Sequence, residues 1–182
     1  KETFTKGLLT KNINFDVKAT GTLDALQVSS YHIATEGNKL SGSMLLQHPT
    51  DVKRIYAGLQ INEFSTSRKK LQQLLPKDLL SEEIWTYVPE TIQAKGKISG
   101  DPDDVQTNII IQTNDGNLSV KGYAHHLTDT KHAEYDLSLT TGGFALDKYL
   151  SNPQLGTVSG DITVKGKGFD PEEADLDFTA NI

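Results

Sequence analysis

The amino-acid sequence predicts a mainly β protein with a few short helices, built from a repeated antiparallel unit. Apolar and polar residues alternate along most of the 182-residue chain, Gly- and Pro-containing turns separate the alternating runs, and these features recur along the sequence. Successive side chains of a strand point to opposite faces, so each run has one apolar and one polar face. An antiparallel sheet with one face in water fits that pattern.

The alternating runs predict roughly ten strands. Each run carries its apolar residues at every second position, which places them on one face of the sheet. The candidates for this face are Ile13, Phe15, Val17, Ile109, Ile111, Leu118, Val120, Leu137, Leu139, Ile162, Val164, Leu176 and Phe178.

Turn residues and short helices separate the runs. Glu36-Gly37-Asn38 and Asn114-Asp115-Gly116-Asn117 predict tight hairpins, because Gly readily takes the positive φ of such turns. Helices are predicted from Ser67 to Pro76, after Ser81 and over residues 144–150. Ser81 is a suitable N-cap, since acidic residues follow it in the first turn.

These features recur in order, which predicts a repeat of roughly 70 to 80 residues. We expect a single elongated segment over 1–182 with units 13–91, 92–157 and a partial 158–182, and an insertion around 79–88. The matches are Gly21 with Gly100 and Gly37 with Gly116 at an offset of 79 (100 − 21), Asp51 with Asp129 at 78 (129 − 51), Leu71 with Leu146 at 75 (146 − 71), and Asp101-Pro102 with Asp170-Pro171 at 69 (170 − 101).

Composition excludes several classes of function. The formal net charge of −6 argues against a nucleic-acid-binding protein, which would show a basic stripe. Without cysteine there is neither a disulfide framework nor a thiolate metal site. No apolar run is long enough for a membrane span, and the chain stops within an alternating run. We therefore expect a piece of a longer protein.

Several residue clusters invite a chemical interpretation, and each has a simpler one. His125 and His126 are adjacent, so on a strand they point to opposite faces and do not share a metal. Asp101, Asp103 and Asp104 lack the downstream spacing of a calcium loop, and Glu82-Glu83 fits a first helical turn. We expect no catalytic residues, no metal site, no cofactor and no enzymatic activity.

Two motifs resemble a known family. A helix of the pattern T/S-x4-L-x2-L-L-P, here Thr66 to Pro76, precedes a strand of the pattern I/V-x-G-x-I/V-S-G, here Lys95 to Gly100. A second, more divergent pair spans Thr141 to Leu150 and Val158 to Asp161. From about Ile13 onward the chain is similar to the AsmA/TamB-like family of bacterial envelope proteins, although it lacks the family's anchor and C-terminus.

The resemblance implies a fold, a location and a function. The fold would be a long curled β-sheet, an open half-pipe or β-taco-like trough with an apolar inner face. The parent protein would be anchored in the inner membrane outside this segment and cross the periplasm. The apolar groove would bind lipid acyl chains for phospholipid transport between membranes, for outer-membrane assembly, or for both. Flanking repeats of the parent chain and outer-membrane assembly proteins would be its partners.

The alternative is a β-sandwich that binds glycan or protein at the cell surface. In a sandwich the same alternating residues would form a closed core, and Trp85 and Tyr87 would offer aromatic faces to a sugar. Periodicity alone does not distinguish a sandwich core from an open groove.

Overall fold

The computed structural model describes residues 13–75, 80–129, 131–150, 156–168 and 175–181. It contains ten strands and three short helices in this part of the chain. The strands are β1 (Asn14–Gly21), β2 (Ala25–Thr35), β3 (Asn38–Gln47), β4 (Tyr56–Ser67), β5 (Thr91–Gly100), β6 (Val105–Thr113), β7 (Gly116–His125), β8 (Glu134–Ala145), β9 (Thr157–Lys167) and β10 (Asp175–Asn181). The helices are α1 (Arg68–Leu74), α2 (Glu82–Tyr87) and α3 (Leu146–Leu150).

All ten strands form one open sheet. Their order follows the sequence, and each strand pairs antiparallel with the next. β1 and β10 are the two edges, so the sheet is not closed on itself. The predicted mainly β, antiparallel, open sheet is confirmed. The alternative β-sandwich is wrong as an architecture, because a sandwich needs two packed sheets and these strands form one.

Both hairpin turns are as short as the sequence predicts, but Gly116 does not lie within the second turn. Thr35 pairs with Asn38 and Thr113 with Gly116, so each hairpin has a two-residue turn. Gly37 lies inside the first turn with a φ of 84°. Gly116 lies outside the second turn, as the first residue of β7, because Asn114-Asp115 forms that turn.

β3 and β4 recur as β7 and β8 at one offset in residue number. β7 begins at an offset of 78 from β3 (116 − 38), and β8 begins at the same offset from β4 (134 − 56). The helices that follow β4 and β8 also begin at an offset of 78 (146 − 68), not at the 75 expected from their leucines. The hairpin offset is likewise 78 (113 − 35) rather than 79.

The loops after β3 and β7 repeat the same hydrogen bonds. His48 and His126 both have positive φ, 48° and 55°, and each backbone carbonyl accepts from the aspartate three residues later, Asp51 and Asp129, at 3.0 Å. The unit bounds 13–91, 92–157 and 158–182 stay a prediction, and Asp170-Pro171 lies outside the described residues.

β-Bulges and glycine kinks curl the sheet. The register shifts by one residue at Ser29–Ser30 in β2, at Asn62–Glu63 in β4 and at Gly142–Gly143 in β8. Gly96 and Gly122 lie within strands with φ of 146° and 153°. A Cβ on Gly122 would lie 2.0 Å from the Asp136 carbonyl oxygen, so only glycine fits there. Bulges and such glycines are how a twisted sheet acquires curvature.

Two helices begin where the sequence predicts, and Ser81 is the predicted N-cap of the second. The Ser67 side chain accepts from the Lys70 N–H at the start of α1, and Ser81 accepts from the Ile84 N–H at the start of α2. α2 occupies the predicted insertion, and α3 begins at Leu146, since Phe144 still belongs to β8. None of the described helices is long and apolar enough to cross a membrane.

Candidate functional site

The strand register divides the side chains into two chemically different faces. We call one the apolar face. Its residues fall into five rows that cross the strands, for example Ile61, Gly96, Ile109, Val120, Leu139 and Ile162 in one continuous row from β4 to β9. The next row along the strands runs Leu59, Ile98, Thr107, Gly122, Leu137 and Val164. Directly paired residues share a face, so these rows are continuous surfaces.

The apolar face contains the predicted candidates. Ile13 precedes β1 by one residue and has the parity of Phe15. Leu176 and Phe178 pair with Gly166 and Val164, which places their backbone positions in the same rows, while their side chains lie outside the described residues. Ten further candidates lie on this face, namely Phe15, Val17, Ile109, Ile111, Leu118, Val120, Leu137, Leu139, Ile162 and Val164.

Sequence reasoning missed much of the face on β2 to β5. Bulges at Ser29–Ser30 and Asn62–Glu63 invert the alternation partway along β2 and β4, so a simple period of two does not identify one face there. The apolar residues missed are Leu26, Val28, Tyr31, Ile33, Leu40, Met44, Leu46, Leu59, Ile61, Phe64, Ile92 and Ile98.

No second layer covers the apolar face among the described residues. Each strand packs mainly on its sequence neighbours, and the contacts of α1 with β4 and of α3 with β9 are far fewer than those between neighbouring strands. The buried apolar side chains in this part of the chain are Val28, Trp85 and Ala133. Most apolar-face side chains are half-buried, and Phe15 on the edge strand is 68% exposed. The surface has the composition of a core without its covering layer.

The dimensions of this face follow from β-sheet geometry. Ten strands at a spacing of about 4.8 Å give a face about 43 Å long across the strands. Five rows two residues apart give a width of about 27 Å along the strands. Across the strands, the face is longer than the roughly 30 Å thickness of a bilayer's hydrocarbon core.

The opposite face is polar and partly cross-linked by ion pairs. Lys165 lies 2.7 Å from Asp136 and Lys167 lies 2.6 Å from Glu134. The hydrogen bond from Lys167 lowers the pKa of Glu134, and the hydrogen bond to Asp136 raises the pKa of Lys165. Ile110 lies on this face, opposite in direction to its neighbours Ile109 and Ile111.

Four histidines lie at one rim of the sheet, each beside its own aspartate. Nδ1 lies 2.6 Å from a carboxylate oxygen in the His125–Asp104 pair and 2.7 Å in the His132–Asp129 pair. No group of three or more His, Asp or Glu residues in the described ranges could hold a metal ion. The four His–Asp pairs are therefore separate contacts of the loops at this rim.

The aspartates considered for calcium also have separate partners. Asp101 Oδ1 accepts from the backbone N–H groups of Asp103 and Asp104 at 2.8 and 2.9 Å. Asp103 accepts from the Thr128 hydroxyl and N–H, and these hydrogen bonds lower its pKa. Asp101 thus fixes its own loop, and Asp103 ties that loop to the one that contains Thr128.

The helices lie at the other rim, where aromatic and charged side chains join them to a hairpin. Asp115 accepts from Lys148 Nζ and from the Tyr149 hydroxyl, the latter at 3.0 Å. Burial, followed by the hydrogen bond to Asp115 and its charge, raises the pKa of Tyr149 to about 12. Trp85 is only 7% exposed, so its ring is not presented to a sugar as the glycan alternative expected. Glu82 and Glu83 lie in the first turn of α2, as predicted.

Comparisons with known proteins assign no family to the chain. No family model matches it, and neither a curated protein nor a solved structure matches it significantly.

Proposed function

We propose that the apolar face binds lipid acyl chains and that the protein acts as a non-enzymatic lipid conduit. The observation that carries the proposal is the uncovered apolar face itself, which runs across the sheet with no second layer among the described residues. Monomeric soluble proteins rarely expose large continuous apolar patches without a binding partner. An acyl chain would take the place of the missing layer.

The energetics favour a chain-like apolar ligand. Burying a 16-carbon acyl chain at about 0.8 kcal/mol per methylene is worth roughly 10 kcal/mol before entropy costs. The rows carry aliphatic side chains and glycines with few polar atoms, for example Ile109, Val120 and Leu139 in neighbouring strands. Without polar groups to fix a headgroup, binding along the rows has little positional preference. That property suits transport along the face better than storage.

The resemblance to AsmA/TamB-like proteins supports a location for this activity. The motif that ends β4 and forms α1 is followed, after the α2 insertion, by the motif strand β5. We infer a periplasmic segment of an envelope protein that is anchored in the inner membrane elsewhere in the parent chain. Flanking repeats and outer-membrane assembly proteins are its proposed partners, and phospholipid transport its proposed role.

Adjacent isoleucines on opposite faces provide a matched test. A photo-crosslinking amino acid is placed at Ile109, at Ile111 or at Leu137, and at Ile110 or Ser138 as controls on the polar face. The purified variants are mixed with fluorescent phospholipid, irradiated and analysed by gel electrophoresis. We expect labelling at the first three positions only. Equal labelling at 109 and 110 would show that lipid association is not specific to the apolar face.

A further inference from the structure

The middle of the polar face differs in charge from the rest of this acidic protein. Across β5, β6 and β7 no polar-face position carries a carboxylate, although the chain has 24 Asp and Glu residues. The positions form four rows of three, which we call the lysine–amide patch. The rows are Gln93–Gln112–Asn117, Lys95–Ile110–Ser119, Lys97–Asn108–Lys121 and Ser99–Gln106–Tyr123.

The three lysines of the patch have no ion-pair partner among the described residues. The nearest carboxylates on the flanking strands are engaged on the far side. Glu63 on β4 pairs with Lys39 at 3.8 Å, and Asp136 on β8 pairs with Lys165 at 2.7 Å. Lys97 and Lys121 flank Asn108 in one row, about 10 Å apart across two strands. The patch therefore presents three lysines that no ion pair within the described residues neutralises.

The amides of the patch are free to bind a ligand. The five Gln and Asn side chains are exposed, and none makes a side-chain hydrogen bond within the described part of the protein. Each amide offers two donors and an acceptor, which complement hydroxyl groups that both donate and accept. Ile110 and Tyr123, 38% and 39% exposed, add apolar surface between the polar groups. Sugar rings present both kinds of surface.

Three shallow crevices adjoin one another along β5 and β6. The first, of about 240 Å³, is lined by Gln93, Lys95 and Gln112 of the patch and, on β4, by residues that include Glu63. The next, of about 560 Å³, shares Lys95 and Ile110 with it, and the third, of about 360 Å³, shares Lys97 and Asn108 with the second. A continuous line of crevices fits a linear chain of several units better than a single small molecule.

We propose that the lysine–amide patch binds an anionic polysaccharide such as a polyuronate. Lysines would neutralise carboxylates spaced along the polymer, while amides and Tyr123 would contact the sugar hydroxyls and ring faces. The five amides and the Tyr123 ring complement hydroxyl groups and sugar-ring faces, which an inorganic polyphosphate lacks, so a polyphosphate fits the patch less well. This inference is independent of lipid binding, since the patch lies on the face opposite the apolar rows.

The test compares two variants of equal charge. Lys95, Lys97 and Lys121 are replaced by Gln in one variant, and Lys39, Lys165 and Lys167 in the control. Binding to polygalacturonate is measured by affinity electrophoresis at several salt concentrations, with neutral dextran as the uncharged polymer. We expect the patch variant to bind about tenfold more weakly, as the loss of three exposed ion pairs implies, and the control to change little.

A second variant tests the class of ligand. Changing Gln106, Asn108 and Gln112 to Ala leaves all charges in place, and should weaken polygalacturonate binding without changing any residual binding to inorganic polyphosphate. Circular dichroism and thermal unfolding establish that each variant folds. Equal loss in the two lysine variants, absence of polygalacturonate binding by the unmodified protein, or tighter binding of polyphosphate would each overturn the proposal. We expect the patch variant to keep its lipid labelling, so that a failure of polysaccharide binding is distinguishable from a failure of lipid binding.

Discussion

Replacing Asp115 by Asn tests how the helices are joined to the sheet. Asp115 lies in the turn between β6 and β7, and its side chain is 9% exposed. The carboxylate accepts from Lys148 Nζ and the Tyr149 hydroxyl of α3, and also from the Asn114 side chain at 2.8 Å. Asparagine keeps the shape of the side chain but removes the charge and one acceptor oxygen. Lys148 then loses its ion-pair partner.

The expected loss of stability follows from the strength of hydrogen bonds to a charged group. Each such bond is worth about 1.5–3 kcal/mol, so we expect Asp115→Asn to lower the free energy of unfolding by about 2–3 kcal/mol. In a chain of this size that loss lowers Tm by roughly 5–10 °C. The loss of the Asp115 charge and hydrogen bond also lowers the pKa of Tyr149 from about 12, although burial keeps it above its usual value.

Two measurements check this prediction. Urea denaturation compares Asp115→Asn with Asp129→Asn, a control whose carboxylate is 57% exposed and pairs with an exposed histidine. Ultraviolet titration follows the six tyrosines, and Tyr149→Phe identifies the last one to ionise. Equal destabilisation by the two substitutions, or an unchanged late titration in Asp115→Asn, would refute the structural role assigned to this contact. In the unmodified protein, the Tyr149 contribution to stability is present below pH 10 and lost as pH rises through about 12.

Three further predictions concern the curvature of the sheet, the N-cap of α1 and the loss of stability at low pH. Gly122→Ala should cost about 2 kcal/mol or more in urea denaturation, because φ is +153° and the new Cβ would lie 2.0 Å from the Asp136 carbonyl oxygen. An unchanged midpoint would argue against a required kink. Ser67→Ala should cost about 1 kcal/mol by the same assay, since α1 loses its N-cap, and no loss would mean water replaces it. Hydrogen bonds from the basic side chain three residues later lower the pKa of Asp51 and of Asp129. Their contribution to stability is present above the usual carboxyl pKa and is lost as pH falls through the lowered values. Asn at both positions should therefore weaken the fall of the unfolding free energy with decreasing pH in the acid range.

The alternating pattern was sufficient to predict the strands and most of the turns. It places Ile109 and Ile111 on one face and Ile110 on the other, as the register confirms. The N-cap Ser81 was equally predictable, because it acts through a local hydrogen bond. These features depend on residues close in sequence, where side-chain chemistry and backbone geometry are directly linked.

The repeat offset was harder to obtain from the sequence. Matching the leucines of the two helices predicts an offset of 75 (146 − 71), whereas the helices themselves begin at an offset of 78 (146 − 68). Those leucines are not structural equivalents. Lys70 and Lys148 are (148 − 70 = 78), since the Lys70 side chain lies beside Gly37 in the first hairpin, where an added Cβ would be 2.9 Å from its Cε, and Lys148 donates to Asp115 in the second. Contacts between a helix and a distant turn are not visible in a local pattern.

By itself, the sequence determined that the chain forms antiparallel strands with one apolar and one polar face, since a period of two follows from backbone geometry alone. Only the tertiary structure decided which residues of β2 and β4 join the apolar face, because the bulges that invert their parity are defined by pairing with other strands. It also decided between sandwich and open sheet. That choice depends on whether a second layer packs on the apolar residues, and both arrangements satisfy the same alternation.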